Sequence, residues 1–217
     1  MATWGAHMRL AEEILKKSHN LDEISFLVGN IGPDCCEPNE DYTAFTPPKK
    51  ISHWMDDDKN IVAEDFYDTY LNKEIDDKKQ KSFYIGYYVH LLTDIEWGKM
   101  VDKKKSYDEN YMKLENDKKF IWTIKEDWYD LDHLYFRDNP DNIFNNLFKN
   151  IKDFPNYLEY YTKDNIPKRI KYITDFYLQS SDNLDREYPY LKKEEMDTFI
   201  NESLEVIVDD IRAKELI

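Results

Sequence analysis

Cysteine is nearly missing from this chain of 217 residues, with two copies, adjacent at Cys35 and Cys36. Sequence neighbours are poorly placed to bridge each other, so no disulfide framework is expected to hold the fold, and the reading is of a cytoplasmic, reducing setting. Glycine and proline are scarce as well, at 5 and 8, which disfavours a sheet-and-turn architecture and favours helices joined by polar loops. No apolar run approaches the roughly 20 residues of a transmembrane helix. Arg9, Glu12, Glu13, Lys16 and Lys17 leave no uninterrupted apolar core for a signal peptide near the start. Positive charge is in deficit, 30 Lys and Arg against 45 Asp and Glu, for a net charge of −15. A nucleic-acid surface needs a basic patch that sheds counterions, so long nucleic acids are not expected as partners. A glycine-rich phosphate loop, a His-Glu-x-x-His helix and a Gly-x-Ser-x-Gly elbow are also absent from the sequence.

Hydrophobic and aromatic material is abundant. Apolar residues make up 41% and aromatics 15% of the chain, with 17 Tyr and 11 Phe, too much for a disordered protein and enough for one real core. The expected fold is all-α, a single-domain multi-helix bundle over residues 1–217 around a buried central helix. Thr3 caps a helix to about Lys17, on which His7 shares the apolar stripe of Leu10, Ala11 and Ile14. A short helix after Asp22 stops at Gly29-Asn30-Ile31-Gly32-Pro33, and a long loop over residues 33–60 follows, of the kind that is often functional. Helices are expected over about 61–71, 79–101, 105–125, 165–180 and 192–214, with shorter segments near 127–136 and 140–152.

Within the central helix, Tyr87-Tyr88-Val89-His90-Leu91-Leu92-Thr93-Asp94 sets an imidazole and a carboxylate four residues apart, on one helical face. A buried carboxylate without a partner is costly enough that a fold supplies a cation, a donor network or a metal. A lone histidine on an apolar face is more often a satisfied core residue, yet His90 and Asp94 have company. His7 points inward from the first helix, Asp34 follows the Gly-Pro turn, and His53 sits beside Trp54. Histidine and aspartate together suit zinc, although manganese or iron would accept the same set. Cys35 and Cys36 are read as loop packing, Trp54, Tyr87, Tyr88 and Trp97 as core, and His19 as exposed. Asp130, Asp132 and His133 form a polar group read as surface or capping residues, with a further metal site as the alternative.

The order Trp4-Gly5-Ala6-His7-x-x-Leu10-Ala11-Glu12, Leu27-x-Gly29-Asn30-Ile31-Gly32-Pro33-Asp34, Ser52-His53-Trp54 and Gly86-Tyr87-x-x-His90-Leu91-Leu92-Thr93-Asp94 resembles the bacterial zinc-dependent phospholipase C family. That family is related in fold to the single-strand-specific zinc nucleases of fungi and plants. The resemblance covers about residues 4–101. It implies an all-helical phosphodiesterase in which Asp34, His53, His90 and Asp94 surround one metal. Asp94 then bridges to a second metal that also takes His7, and Asp34 and Asp94 are the catalytic candidates, Asp34 by orienting a metal-activated water. The family holds three zinc ions, but its later His-x-x-x-Glu pattern is missing here, since His133 is followed by Arg137, so one or two ions are expected. The implied substrate is a small phosphoester or a phospholipid head group. The rival expectation is a non-catalytic metal-binding or helical interaction protein on the same scaffold.

Overall fold

A computed structural model describes residues 1–41 and 43–217. The chain is mostly helical. The first two helices, α1 (Trp4–Lys17) and α2 (Glu23–Gly29), lead to a 3-10 turn at Gly32–Asp34, and two-residue strands, β1 (Glu37–Pro38) and β2 (Phe45–Thr46), pair antiparallel in the loop beyond. Next come α3 (Lys49–Ser52), α4 (Ala63–Phe66) with a π-type turn to Leu71, and the central α5 (Lys78–Lys105). The remainder is α6 (Glu109–Met112), α7 (Ile121–Asp138), α8 (Ile143–Asn146), α9 (Asn165–Leu178) and α10 (Lys193–Ala213). No helix among the described residues is long and apolar enough to cross a membrane.

Local chemistry accounts for the main boundaries. The Thr3 side chain accepts from the Ala6 amide, Asp22 from that of Ser25, and Asp77 from those of Lys79 and Gln80, each satisfying an amide that the first helical turn leaves open. Lysines at the last turns of α1 and α5 complement the negative ends of those helices. The helix expected over 105–125 is not formed. Asp108 and Asp117 fold back to accept from the amides of Asn110 and Lys119, so each starts a new short turn, and the long helix begins only at Ile121.

From Ser82 to Leu91, α5 is buried on every side, with α1, α2, α4, α6 and α10 packed around it. The crossing with α2 is the tightest. A Cβ on Gly29 would overlap the Phe83 carbonyl, and one on Gly86 would overlap the Phe26 carbonyl and reach 2.9 Å from the Asn30 amide. The two helices therefore touch backbone to backbone, and the Asn30 side chain donates through Nδ2 to the Gly86 carbonyl at 3.3 Å. Farther along α5, Trp97 is held edge-on by Trp128 and Phe199, with centroids 4.9 and 4.8 Å away. Phe66 stacks on Tyr87 at 4.5 Å, and the Tyr87 hydroxyl donates to the Ser52 carbonyl, tying the loop after α3 to the central helix.

Backbone cannot retreat as a flexible side chain can, so Gly86→Ala is expected to cost at least the roughly 1–3 kcal/mol of ordinary overpacking. Urea unfolding checks this against Gly98→Ala as control, because nothing lies within 4 Å of a Cβ built there.

Candidate metal centre

The close crossing of α2 and α5 delivers a backbone group to the site. The Asn30 carbonyl lies 2.8 Å from His90 Nδ1. A carbonyl only accepts, so the proton of neutral His90 sits on Nδ1 and the lone pair on Nε2 faces inward, the arrangement that a metal-binding imidazole needs. His53, at the end of α3, has its Nδ1 2.9 Å from Ser52 Oγ, which also accepts from the Cys36 thiol at 3.0 Å. His7 comes from α1 and stacks on His90, centroids 3.8 Å apart with planes 3° from parallel.

Asp94 lies at the centre. Its Oδ1 is 3.5 Å from His7 Nε2, and its Oδ2 is 3.3 Å from His90 Nε2 and 3.7 Å from His53 Nε2. The Ala2 amide donates to Oδ1 at 2.7 Å. Asp34 completes the group, with Oδ1 3.5 Å from His53 Nε2 and Oδ2 accepting from Trp4 Nε1 at 2.9 Å. Two overlapping sets of donor atoms result, His7 with His90 and Asp94, and Asp34 with His53 and His90. Within each, the atoms lie within 4.8 Å of one another.

The unsatisfied atoms point to what this cavity is made for. His7 Nε2, His53 Nε2, His90 Nε2 and Asp94 Oδ2 are buried and have no hydrogen-bond partner. Buried polar atoms are nearly always paired, and here four orphans converge. Charge points the same way. Burial opposes ionisation of Asp94, yet the positive amino terminus and His90 hold its carboxyl well below the usual range. Asp34 is likewise held well below, against burial, by its bond with His53 and the charge of Lys49. Burial and the neighbouring His90 push His7 down to about 4, leaving its imidazole neutral, whereas for His90 burial is outweighed only by the charge and hydrogen bond of Asp94 together with Asp34 and the Asn30 carbonyl, which raise it. Two buried carboxylates among three nitrogen donors match the charge and the ligand chemistry of a divalent cation, so these residues could hold a metal.

All five residues singled out in the sequence, His7, Asp34, His53, His90 and Asp94, thus face one another. Cys35 and Cys36 are buried free thiols that bond toward the Ile31 carbonyl and Ser52. His19 is exposed. The group at 130–133 lies apart from the cluster and differs from the surface reading. Asp132 is buried, accepting from Thr3 Oγ1 at 2.9 Å and from the Tyr177 hydroxyl at 2.6 Å, while that hydroxyl accepts from the Gly5 amide at 2.9 Å. It anchors the start of α1 and so the position of His7. Asp130 pairs with Arg186 at 2.8 Å, and His133 packs beside Phe176 and Tyr177. Trp4, Ser52 and the Asn30 carbonyl were not identified as site groups from the sequence. Trp4 had the one available signal, standing three residues before His7 and so on the same helical face.

A small pocket of about 180 Å³, lined in part by Asp34, Trp4 and Tyr129, lies beside the cluster. In comparisons with known proteins, no family model, no curated protein and no solved structure matches the chain.

Two outcomes are expected. A divalent metal that binds only the folded state stabilises by about 2.7 kcal/mol at a hundred times its Kd, so zinc titration should raise the melting temperature, and His90→Ala should abolish the rise. Burial pushes Asp132 up to about 7 from an ordinary 3.8, against the hydroxyls of Tyr177 and Thr3 that lower it. Between those values the folded chain keeps a proton that the unfolded chain has lost, so this contribution to stability falls as pH rises through the window. At about 1.4 kcal/mol per unit the full effect is on the order of 4 kcal/mol. Urea unfolding at pH 5 and pH 8 should show a slope that Asp132→Asn removes.

Proposed function

We propose that this protein is a zinc-dependent hydrolase of phosphate esters, a phosphodiesterase resembling the bacterial zinc-dependent phospholipases C. The observation that carries the reading is the convergence of three imidazoles and two carboxylates, with orphaned inward atoms, beside a small open pocket. Mixed nitrogen and oxygen donors favour zinc, and the two thiols nearby are turned to other partners. A bound zinc ion supplies Lewis acidity, polarising a phosphoryl oxygen and lowering the pKa of a coordinated water toward neutrality.

The chain's own residues divide the remaining work. Asp94, in reach of all three histidines, would be the central ligand of a bound ion. His90 and His53 present Nε2 with their far nitrogens fixed by Asn30 and Ser52. Among the five, Asp34 is the one that lines the open pocket, where a water and a substrate phosphate would meet. A carboxylate held well below the usual range is a weak base, so Asp34 orients the water by accepting its hydrogen bond and does not need to take its proton. The Trp4 indole fixes the other Asp34 oxygen.

Hydrolysis of bis(p-nitrophenyl) phosphate tests the reading. Turnover should require zinc and stop with a chelator. Trp4→Phe should lower kcat by roughly 10–100-fold, as loss of a partner outside the ligand set does, with zinc content unchanged, and Asp94→Asn should lower it further. Zinc uptake without any turnover would instead assign the scaffold a non-catalytic metal-binding role.

A further inference from the structure

The pocket above the cluster is more positive than a chain of net charge −15 leads one to expect. Three cationic side chains line it, Lys49 at the start of α3, Lys125 in α7 and Arg169 in α9, and Asp34 is the single carboxylate among its lining residues. With acids in excess, a basic side chain ordinarily finds a carboxylate, as Arg186 does with Asp127 and Asp130. None of these three has one at ion-pair distance among the described residues. Lys49 Nζ lies over the Phe45 ring at 4.7 Å and donates weakly to Met1 Sδ at 3.8 Å, and Lys125 Nζ lies over Trp122 at 5.1 Å. Arg169 donates to the Cys36 carbonyl at 2.5 Å and lies over Tyr172 and Trp4.

Mutual repulsion makes this arrangement costly. Burial, and next the charge of Lys49, lower the pKa of Lys125. Aromatic faces, one carbonyl and one thioether stabilise the cations only in part, and each keeps donors for another acceptor. A divalent ion in the cluster would neutralise the carboxylates beneath and leave the three charges in surplus. An anion resting at the mouth resolves the imbalance, and phosphate oxygens are strong acceptors for arginine and lysine. The cavity is smaller than the roughly 300–1,000 Å³ of sites that enclose a drug-sized ligand, so it suits a compact charged head. A cationic head group would be repelled.

We propose that Lys49, Lys125 and Arg169 form a second anion subsite at the mouth of the cluster, binding a phosphate group of the substrate other than the one cleaved. This deepens the hydrolase reading and rests on it for the identity of the cleaved group. The preferred substrates are then small esters with an additional phosphate, and diesters with a single negative charge are poorer.

The dithymidine diester TpT and its 5′-phosphorylated form pTpT share one scissile bond and differ by one phosphate, which makes them suitable probes. In the zinc-loaded protein the KM for pTpT should be lower by about tenfold or more, the effect of one strong charged hydrogen bond. Lys125→Met keeps the aliphatic stem and breaks no ion pair, so the fold should survive. It should bring the KM for pTpT close to that for TpT and leave kcat unchanged, and Lys49→Met should act in the same direction. The same pair titrated into Asp94→Asn, followed by fluorescence of Trp4 and Trp122, reads binding without turnover. Preference for pTpT that disappears in Lys125→Met, with neither compound hydrolysed by the wild type, would leave the subsite standing and overturn the hydrolase. Equal KM and equal affinity for the two probes, or a preference that persists in both lysine variants, overturns the subsite.

Discussion

A carboxylate kept ionised inside a protein core dictates what may surround it, and Asp94 is that carboxylate here. Its position just beyond the fully buried stretch of α5 still removes it from water, and the desolvation of a charge is tolerated only with compensation from nearby groups. One backbone amide supplies part of it. Three imidazoles from three elements supply more, but they meet Asp94 at 3.3 to 3.7 Å, longer than good hydrogen bonds. Those separations leave room among the donors, and the orphaned nitrogens face into it. Packing in this region serves to hold charged and basic atoms slightly apart.

That separation depends on stiffness some distance away. The backbone contact at Gly29 and Gly86 fixes Asn30 against α5, and Asn30 fixes the His90 ring. The hydrogen bonds joining Thr3, Asp132, Tyr177 and Gly5 fix the first turn of α1, and with it both His7 and Trp4. Tyr87 fixes the loop carrying His53, through the Ser52 carbonyl. Each donor is thus oriented by a partner outside the cluster, the kind of support that sets the affinity of metal centres. If any of these supports were to relax, the imidazoles would reach Asp94 directly and close the space between them.

The parts of this design that could be read from the sequence are those written in side-chain type at regular spacing. Asp94 and His90 stood out because a buried helix has little reason to carry them, and Thr3 and Asp22 stood just ahead of helix starts, whereas the cap at Asp77 came only with the structure. The segment from 105 to 125 was misread because its aromatic and lysine residues recur at helical spacing. Asp108 and Asp117 have the same composition as solvated acids, and only their turn geometry makes them helix starts. The Asn30 carbonyl has no side-chain signature at all. Asp132 looked like an exposed acid because its partners Thr3 and Tyr177 lie 129 and 45 residues away. Lys49, Lys125 and Arg169 were hidden among 30 basic residues, since nothing local distinguishes a cation that lacks a partner.

The contrast between the whole surface and that one pocket bears on what can approach. At physiological ionic strength exposed charges are screened over about 8 Å, so an incoming molecule senses the acidic exterior first and the cations only at close range. A long polyanion would keep most of its charges against the acidic surface and lose more than it gained at the mouth. A short phosphate ester can place all of its charge inside the range of the three cations. Selection for small anions thus follows from the distribution of charge, before any contact with the metal-binding residues is made.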